Sequence, residues 1–296
     1  MTSIELTAPA KVNLFLKVLD RRKDSYHNIL TLFARISLAD KITISKAPKG
    51  IKVSSDKFIT RRPEENIAYK AAQLLIRHKR LKSGVRVGIK KNIPIGAGLG
   101  GGSSDAAAVL MGMNRLFNLK ITKKGLARLA GQLGADVPFF VSGYASAIGR
   151  ARGERLTKAG LKAPLWYLVI YPGFKLSAKG IYEAFDALRP GGLTRAAPGV
   201  KIRLSSINRM DLDGIEAMLY NDLQEIAVLK RNIIGNIIER LANTLGKKAI
   251  LTGSGPSVFC LYGTRKEAMG AKRRFLRFTP AALRNGWRML VARTGN

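Results

Sequence analysis

The chain has 296 residues, with 52 Lys and Arg against 19 Asp and Glu, a formal net charge of +33 at pH 7. Its 46% hydrophobic content excludes a mainly disordered polypeptide, and a single Cys260 excludes a disulfide framework or a cysteine-based metal cluster. Two histidines without paired spacing exclude a His-rich catalytic metal site.

No run of 18 apolar residues occurs, and Met1-Thr2-Ser3-Ile4-Glu5 lacks the layout of a signal peptide. The expectation is therefore a cytoplasmic chain that meets no membrane. The first strands read as 11–18, 41–44 and 85–89. Between the last two, Glu64-Glu65-Asn66 leads into Ile67, Ala68, Ala71, Ala72, Leu74 and Leu75 at helical spacing. A second helix runs on from Ser103, and a third spans 124–133 and stops at Gly134. Trp166 to Tyr171 reads as a buried strand closed by Pro172-Gly173.

Helical patterns then follow at 181–188, 215–229 and 233–245, with 189–199 as the most linker-like segment. Two strands, 249–251 and 257–261, flank a glycine-rich turn, and a basic helix and a strand at 287–291 end the chain. Strands and helices do not alternate regularly. The expectation is an α+β fold with two lobes, residues 1–160 and 161–296.

A charge of +33 attracts polyanions, nucleic acid among them. Between Arg265 and Arg293, however, nine basic residues and one acid are interleaved with apolar positions, which suits a solvated surface. With 7% aromatic residues and no RNA-binding pattern, nucleic acid is not the expected partner.

The densest chemical signal is Pro94-Ile95-Gly96-Ala97-Gly98-Leu99-Gly100-Gly101-Gly102-Ser103-Ser104-Asp105. Five glycines in the seven positions 96–102 remove the side chains that would hold a phosphate away from backbone N–H groups. The N-terminus of the helix behind them adds its dipole, and Ser103 and Ser104 add hydroxyls. A Walker A loop needs Gly-Lys-Ser/Thr, which is absent; a dinucleotide fingerprint needs an acid about 20 residues on, which is also absent. The alternative to a phosphate loop is a flexible hinge or tight strand–helix packing.

This segment resembles the second signature of the GHMP small-molecule kinases. Ala8-Pro9-Ala10-Lys11-Val12-Asn13-Leu14 resembles the first signature and Leu251 to Phe259 the third, in the family's order. Asp24-Ser25-Tyr26-His27, Thr31-Leu32-Phe33 and Gly134-Ala135-Asp136-Val137-Pro138-Phe139-Phe140 are similar to the branch that phosphorylates a cytidyl-diphosphate polyol. The resemblance implies a ribosomal-S5-like N-terminal lobe and a ferredoxin-like C-terminal lobe. It also implies ATP and Mg²⁺ as cofactors, a cytidyl-nucleotide substrate, and a monomer or homodimer.

Read alone, Asp136 suits a helix cap or a base, and Lys11 a paired buried cation or a snorkelling strand residue. The resemblance makes Asp136 the general base, with Lys11 beside it to keep the carboxylate ionised. ATP phosphates then fall to residues 94–104. The resemblance gives Tyr26 and His27 the cytosine and Tyr182 the other side of its sandwich, and puts Asn13 near the reacting end. It sets the turn Gly253-Ser254-Gly255, which read alone is nearly as well explained as a turn needing positive φ, near the transferred phosphate and the substrate. Asn66 and Lys90 suit the surroundings of the nucleotide, and Asn221-Asp222-Leu223, which also resembles a family segment, reads as structural. The chain departs from the family where Ser25 precedes Tyr26-His27 and where Ala151 follows Arg150, positions at which the family usually has glycine.

Overall fold

A computed structural model describes residues 2–161, 164–188 and 207–295. The chain forms two compact units that are not successive segments. The first comprises Met1–Ala10, Leu38–Ile95 and Gly100–Tyr144; the second comprises Lys11–Ser37, Gly96–Leu99 and Ala145–Asn296. Position 160 falls within the second unit. Two long strands, β1 (Ser3–Arg21) and β2 (His27–Ala47), contribute to both units. The segments 11–18 and 41–44 are thus parts of longer strands.

In the first unit the end of β2 pairs antiparallel with β4 (Gly84–Lys90), from Lys41 opposite Lys90 to Ala47 opposite Gly84. The strand β3 (Ile51–Ser55) pairs parallel with β4. The helices α1 (Ile67–Lys79) and α2 (Gly101–Leu116) bury Ala68, Ala71, Ala72 and Ala106 to Ala108. Methyl-sized side chains at these positions allow close helix packing. The helices α3 (Lys123–Leu133) and α4 (Val137–Ser142) complete the unit.

In the second unit β2 pairs with β5 (Ser146–Arg150), which pairs with β6 (Arg155–Ala159). A separate antiparallel sheet has the order β11 (Arg288–Arg293), β7 (Trp166–Tyr171), β10 (Val258–Tyr262), β9 (Ile250–Leu251). The helices α5 (Ala178–Leu188), α6 (Leu212–Ala217), α7 (Gln224–Lys230), α8 (Asn232–Leu245) and α9 (Arg265–Phe278) belong here. Leu168, Ile170, Phe185, Ile226, Ile237, Val258 and Phe275 share one core cluster. Cys260 lies inside it, where burial pushes its thiol up to about 12. A thiol so protonated at neutral pH is a packing residue.

The helix expected over 215–229 is broken in two. Between α6 and α7 the pair β8 (Tyr220–Asn221) bonds parallel to β1, with Phe15 opposite Tyr220. The polar side chains decide this break. Asp222 accepts from Val18 N at 2.7 Å, and Asn221 Nδ2 donates to Leu251 O and Gly253 O at 2.8 Å each. Such side-chain bonds offer the backbone an alternative to helix. The strands β3, β5 and β6 and the helix α4 have no counterpart in the sequence reading. The expected linker 189–199 lies outside the described residues.

Candidate active site

The glycine-rich segment leaves the first unit at Ile95, crosses the second as Gly96–Leu99, and returns at Gly100. Gly96, Gly98 and Gly100 all have positive φ, at 70°, 77° and 70°. Gly100 caps α2, so backbone N–H groups at the start of a 16-residue helix remain for an anion. Among the described residues, the buried hydroxyl of Ser104 has no hydrogen-bond partner. An orphaned donor there fits a phosphate or a hydrated Mg²⁺.

Beneath this helix start, in the first unit, lies a buried charge cluster. Lys91 Nζ donates to Asp40 Oδ2 and, at 2.8 Å, to Asp105 Oδ2. Asp40 also accepts from Asn92 N at 2.6 Å and Ile93 N at 2.8 Å. The cluster ties β2, the segment before the loop, and Asp105 in the N-terminal half of α2 together.

Burial is the main reason that the Asp105 carboxyl is pushed up to about 7; Asp40 adds to the rise and Lys91 opposes it. An acid whose folded pKa is raised gives stability below its unfolded value of 3.8 that is lost as pH rises through about 7. Asp105→Asn keeps an acceptor for Lys91 and removes the extra charge. It is expected to flatten this loss and to raise the melting temperature at pH 8 by roughly 2–4 °C, about 1 kcal/mol. Thermal melts at pH 5 and pH 8 check this, the two proteins differing less at pH 5.

In the second unit the first and third signatures meet the loop. Lys11 N donates to Leu99 O at 2.9 Å, and Ser257 N donates to Ala97 O at 3.3 Å. A Cβ on Gly98 would stand 2.4 Å from Thr252 O and 2.8 Å from Gly255 O, so two backbones are in contact there. A Cβ on Gly253 would lie 3.3 Å from Lys11 Nζ and 3.5 Å from Asn13 Oδ1. Lys11 is buried, donates to Asn13 Oδ1 at 2.7 Å, and lies 5.6 Å from the centre of the Phe33 ring.

Asn13 is held from both sides. Its backbone N–H donates to Thr252 Oγ1 at 3.0 Å, and its Nδ2 donates to Thr31 Oγ1 at 2.8 Å, whose hydroxyl donates to Phe15 O. Ser254 is half-buried at the turn tip. The sequence reading missed Thr31 and Thr252 as supports. Asn221, expected to be structural, holds Leu251 O and Gly253 O and so fixes the turn that faces Lys11.

Asp136 lies in the first unit, half-buried at the N-cap position of α4. Its side chain makes no cap hydrogen bond, which removes the capping alternative. Asn66, in contrast, is a helix cap: its Oδ1 accepts from Ala68 N at 2.9 Å. Lys90 is exposed at the end of β4.

The expected aromatic residues divide into two arrangements within the second unit. His27 is buried, with its ring stacked on Tyr182 at 5.2 Å and edge-on to Phe185 at 6.3 Å. Its Nε2 is 2.7 Å from Asp186 Oδ1. Tyr26 is 56% exposed and carries the Arg152 guanidinium 5.2 Å over its ring. Ser25 and Ala151, the two departures from glycine, have φ of 64° and 58°. Both keep the left-handed backbone that glycine favours, so each loop bends as a glycine would bend it.

The description "GHMP kinases N terminal domain" matches residues 66–144. A 4-diphosphocytidyl-2-C-methyl-D-erythritol kinase of Moorella thermoacetica is 42% identical over 264 residues, covering 88% of this chain and 90% of the relative. The crystal structure of a 4-(cytidine 5'-diphospho)-2C-methyl-D-erythritol kinase superposes with a TM-score of 0.78 at 35% identity, covering 99% and 100% of the two chains. A homoserine kinase structure from Cytophaga hutchinsonii has a TM-score of 0.77 at 17% identity, covering 100% and 95%, and shares the fold.

Proposed function

The chain belongs to the family of 4-diphosphocytidyl-2-C-methyl-D-erythritol kinases, and from that premise we propose how its residues divide the reaction. It is an ATP-dependent small-molecule kinase. It transfers the γ-phosphoryl group of ATP to the 2-hydroxyl of 4-diphosphocytidyl-2-C-methyl-D-erythritol, giving the 2-phosphate and ADP in the non-mevalonate route to isoprenoid precursors. The domain assignment, 1–160 S5-like with the phosphate loop and 161–296 ferredoxin-like, belongs to the same proposal.

The observation that carries this reading is the backbone junction of Gly98 with the 252–255 turn, beside Lys11 Nζ and Asn13 Oδ1. Phosphoryl transfer needs positioned donors and charge stabilisation more than covalent chemistry. Residues 94–104 form the loop that takes the phosphates of ATP, through backbone N–H groups from Ile95 onward. The orphaned hydroxyl of Ser104 supports a role at a bound metal. Mg²⁺, when bound, neutralises charge on the transferred phosphoryl group.

Asp136 accepts the proton of the 2-hydroxyl, and Lys11 supplies positive charge that keeps the acceptor oxygen oriented. Asn13 and the turn at Gly253 and Ser254 hold the polyol end. Tyr26, His27 and Tyr182 take the cytosine, where stacking contributes about 1–3 kcal/mol per base in single-strand binders.

The test is ADP release with ATP and Mg²⁺ on the cytidyl substrate, beside homoserine and mevalonate. Turnover confined to the cytidyl substrate is expected. Turnover on either control alone would discard the cytosine site and keep the phosphate loop.

A further inference from the structure

One helix face surrounds His27. Tyr182, Phe185 and Asp186 are spaced i, i+3 and i+4 on α5, so their side chains share one side of the helix. They meet the imidazole in three ways: Tyr182 stacks on it, Phe185 lies edge-on, and Asp186 Oδ1 is 2.7 Å from Nε2. Arg21 Nε stands 3.5 Å from Asp186 Oδ2 and supplies the carboxylate with a counter-charge. The histidine side chain is 4% exposed, so the ring cannot turn over without leaving this stack.

From this arrangement we infer that Asp186 fixes the tautomer of His27 and thereby makes the base site prefer cytosine to uracil. The inference rests on the reading of His27 as a cytosine contact given above, and it adds a positioning residue to that reading. A carboxylate accepts hydrogen bonds and does not donate them, so Nε2 carries the hydrogen. A neutral ring with its hydrogen on Nε2 presents Nδ1 as an acceptor. Cytosine offers a donating amino group at its 4-position, whereas uracil offers an accepting oxygen there. Nδ1 pairs with the first and opposes the second. A site built to hydrogen-bond one group discriminates well against an analogue that leaves its polar atom unpaired.

The first readout is the tautomer itself, from long-range ¹H–¹⁵N correlation spectra at pH 8. The chain has two histidines, and His78 is exposed, so a His78→Gln variant assigns the His27 signals. The Nε2–H form is expected in the parent and a mixture in Asp186→Asn, because an amide can present either its oxygen or its NH₂. The second readout is kinetic. Asp186→Asn is expected to raise KM for the cytidyl substrate about 10-fold, with kcat within about 2-fold. The kcat/KM ratio of cytidyl over uridyl substrate is expected to fall about 10-fold.

An Nδ1–H or doubly protonated ring in the parent overturns the inference. So does an unchanged cytidyl-to-uridyl ratio in Asp186→Asn. The parallel variant His27→Ala separates the two levels. If it raises KM while Asp186→Asn does not, the cytosine reading stands and the role of Asp186 falls. If neither variant moves KM, the cytosine reading itself is wrong.

Discussion

Asp136→Asn is expected to lower kcat for the cytidyl substrate by about 10²–10⁴-fold, the range over which a positioned general base contributes. The amide is nearly isosteric with the carboxylate but cannot accept the hydroxyl proton at neutral pH. The side chain makes no cap hydrogen bond to α4, so its loss should not unravel that helix. Because the amide keeps the size of the carboxylate, melting temperature and KM for ATP should remain close to those of the parent, and the deficit should appear in kcat and kcat/KM together. Single-turnover phosphorylation measured beside thermal melts makes the comparison. Near-parental turnover in a folded Asp136→Asn protein would remove Asp136 from the chemistry and leave charge and positioning to account for catalysis.

Gly98→Ala tests the other half of the site, and its effect should reach both stability and activity. The residue has φ 77°, where an alanine costs about 1–2 kcal/mol. Its Cβ would also stand 2.4 Å from Thr252 O and 2.8 Å from Gly255 O, both backbone atoms with no rotamer to give way. Overpacking of this kind adds about 1–3 kcal/mol. The turn cannot retreat without disturbing the bonds from Thr252 N to Ser257 O and from Gly255 N to Thr252 O, each 3.0 Å.

A melting temperature lowered by roughly 5–15 °C is expected, with kcat/KM reduced at least about 100-fold. Gly131→Ala is the control. It lies within α3 with nothing within 4 Å of its Cβ, and should stabilise by about 0.5–1 kcal/mol. A Gly98→Ala protein as stable and active as Gly131→Ala would show that the loop does not need its contact with the 252–255 turn.

Much of this molecule is legible without coordinates because the relevant signals are local. Glycines at 96, 98 and 100 announce a left-handed backbone, and the expected helix follows them from Gly101. Asn66, expected around the nucleotide, instead caps α1, and the cap that Thr264 makes on α9 had no counterpart in the sequence reading. The apolar periodicity of 67–75 and 233–245 marks buried faces, and the structure buries Ala71, Leu75, Ile237 and Leu241 there. The resemblance of Asp24-Ser25-Tyr26-His27 to one branch of the family supplied Tyr26 and His27, which no periodicity would single out.

Other features depend on partners far along the chain, and only the tertiary structure decided them. Asn221 and Asp222 lie in a run with helical spacing, yet bonds to Val18, Leu251 and Gly253 break it between two helices. Lys91 and Asp40 are 51 residues apart, so nothing near either one reveals that they are paired under the start of α2. His27 and Asp186 are separated by 159 residues and meet through the packing of α5. The sequence by itself determined the left-handed glycine turn, the apolar faces and the order of the signatures, because φ preference and periodicity act between neighbours. Tertiary structure decided what each polar side chain holds, because a buried donor or acceptor must find its partner wherever the folded chain brings one.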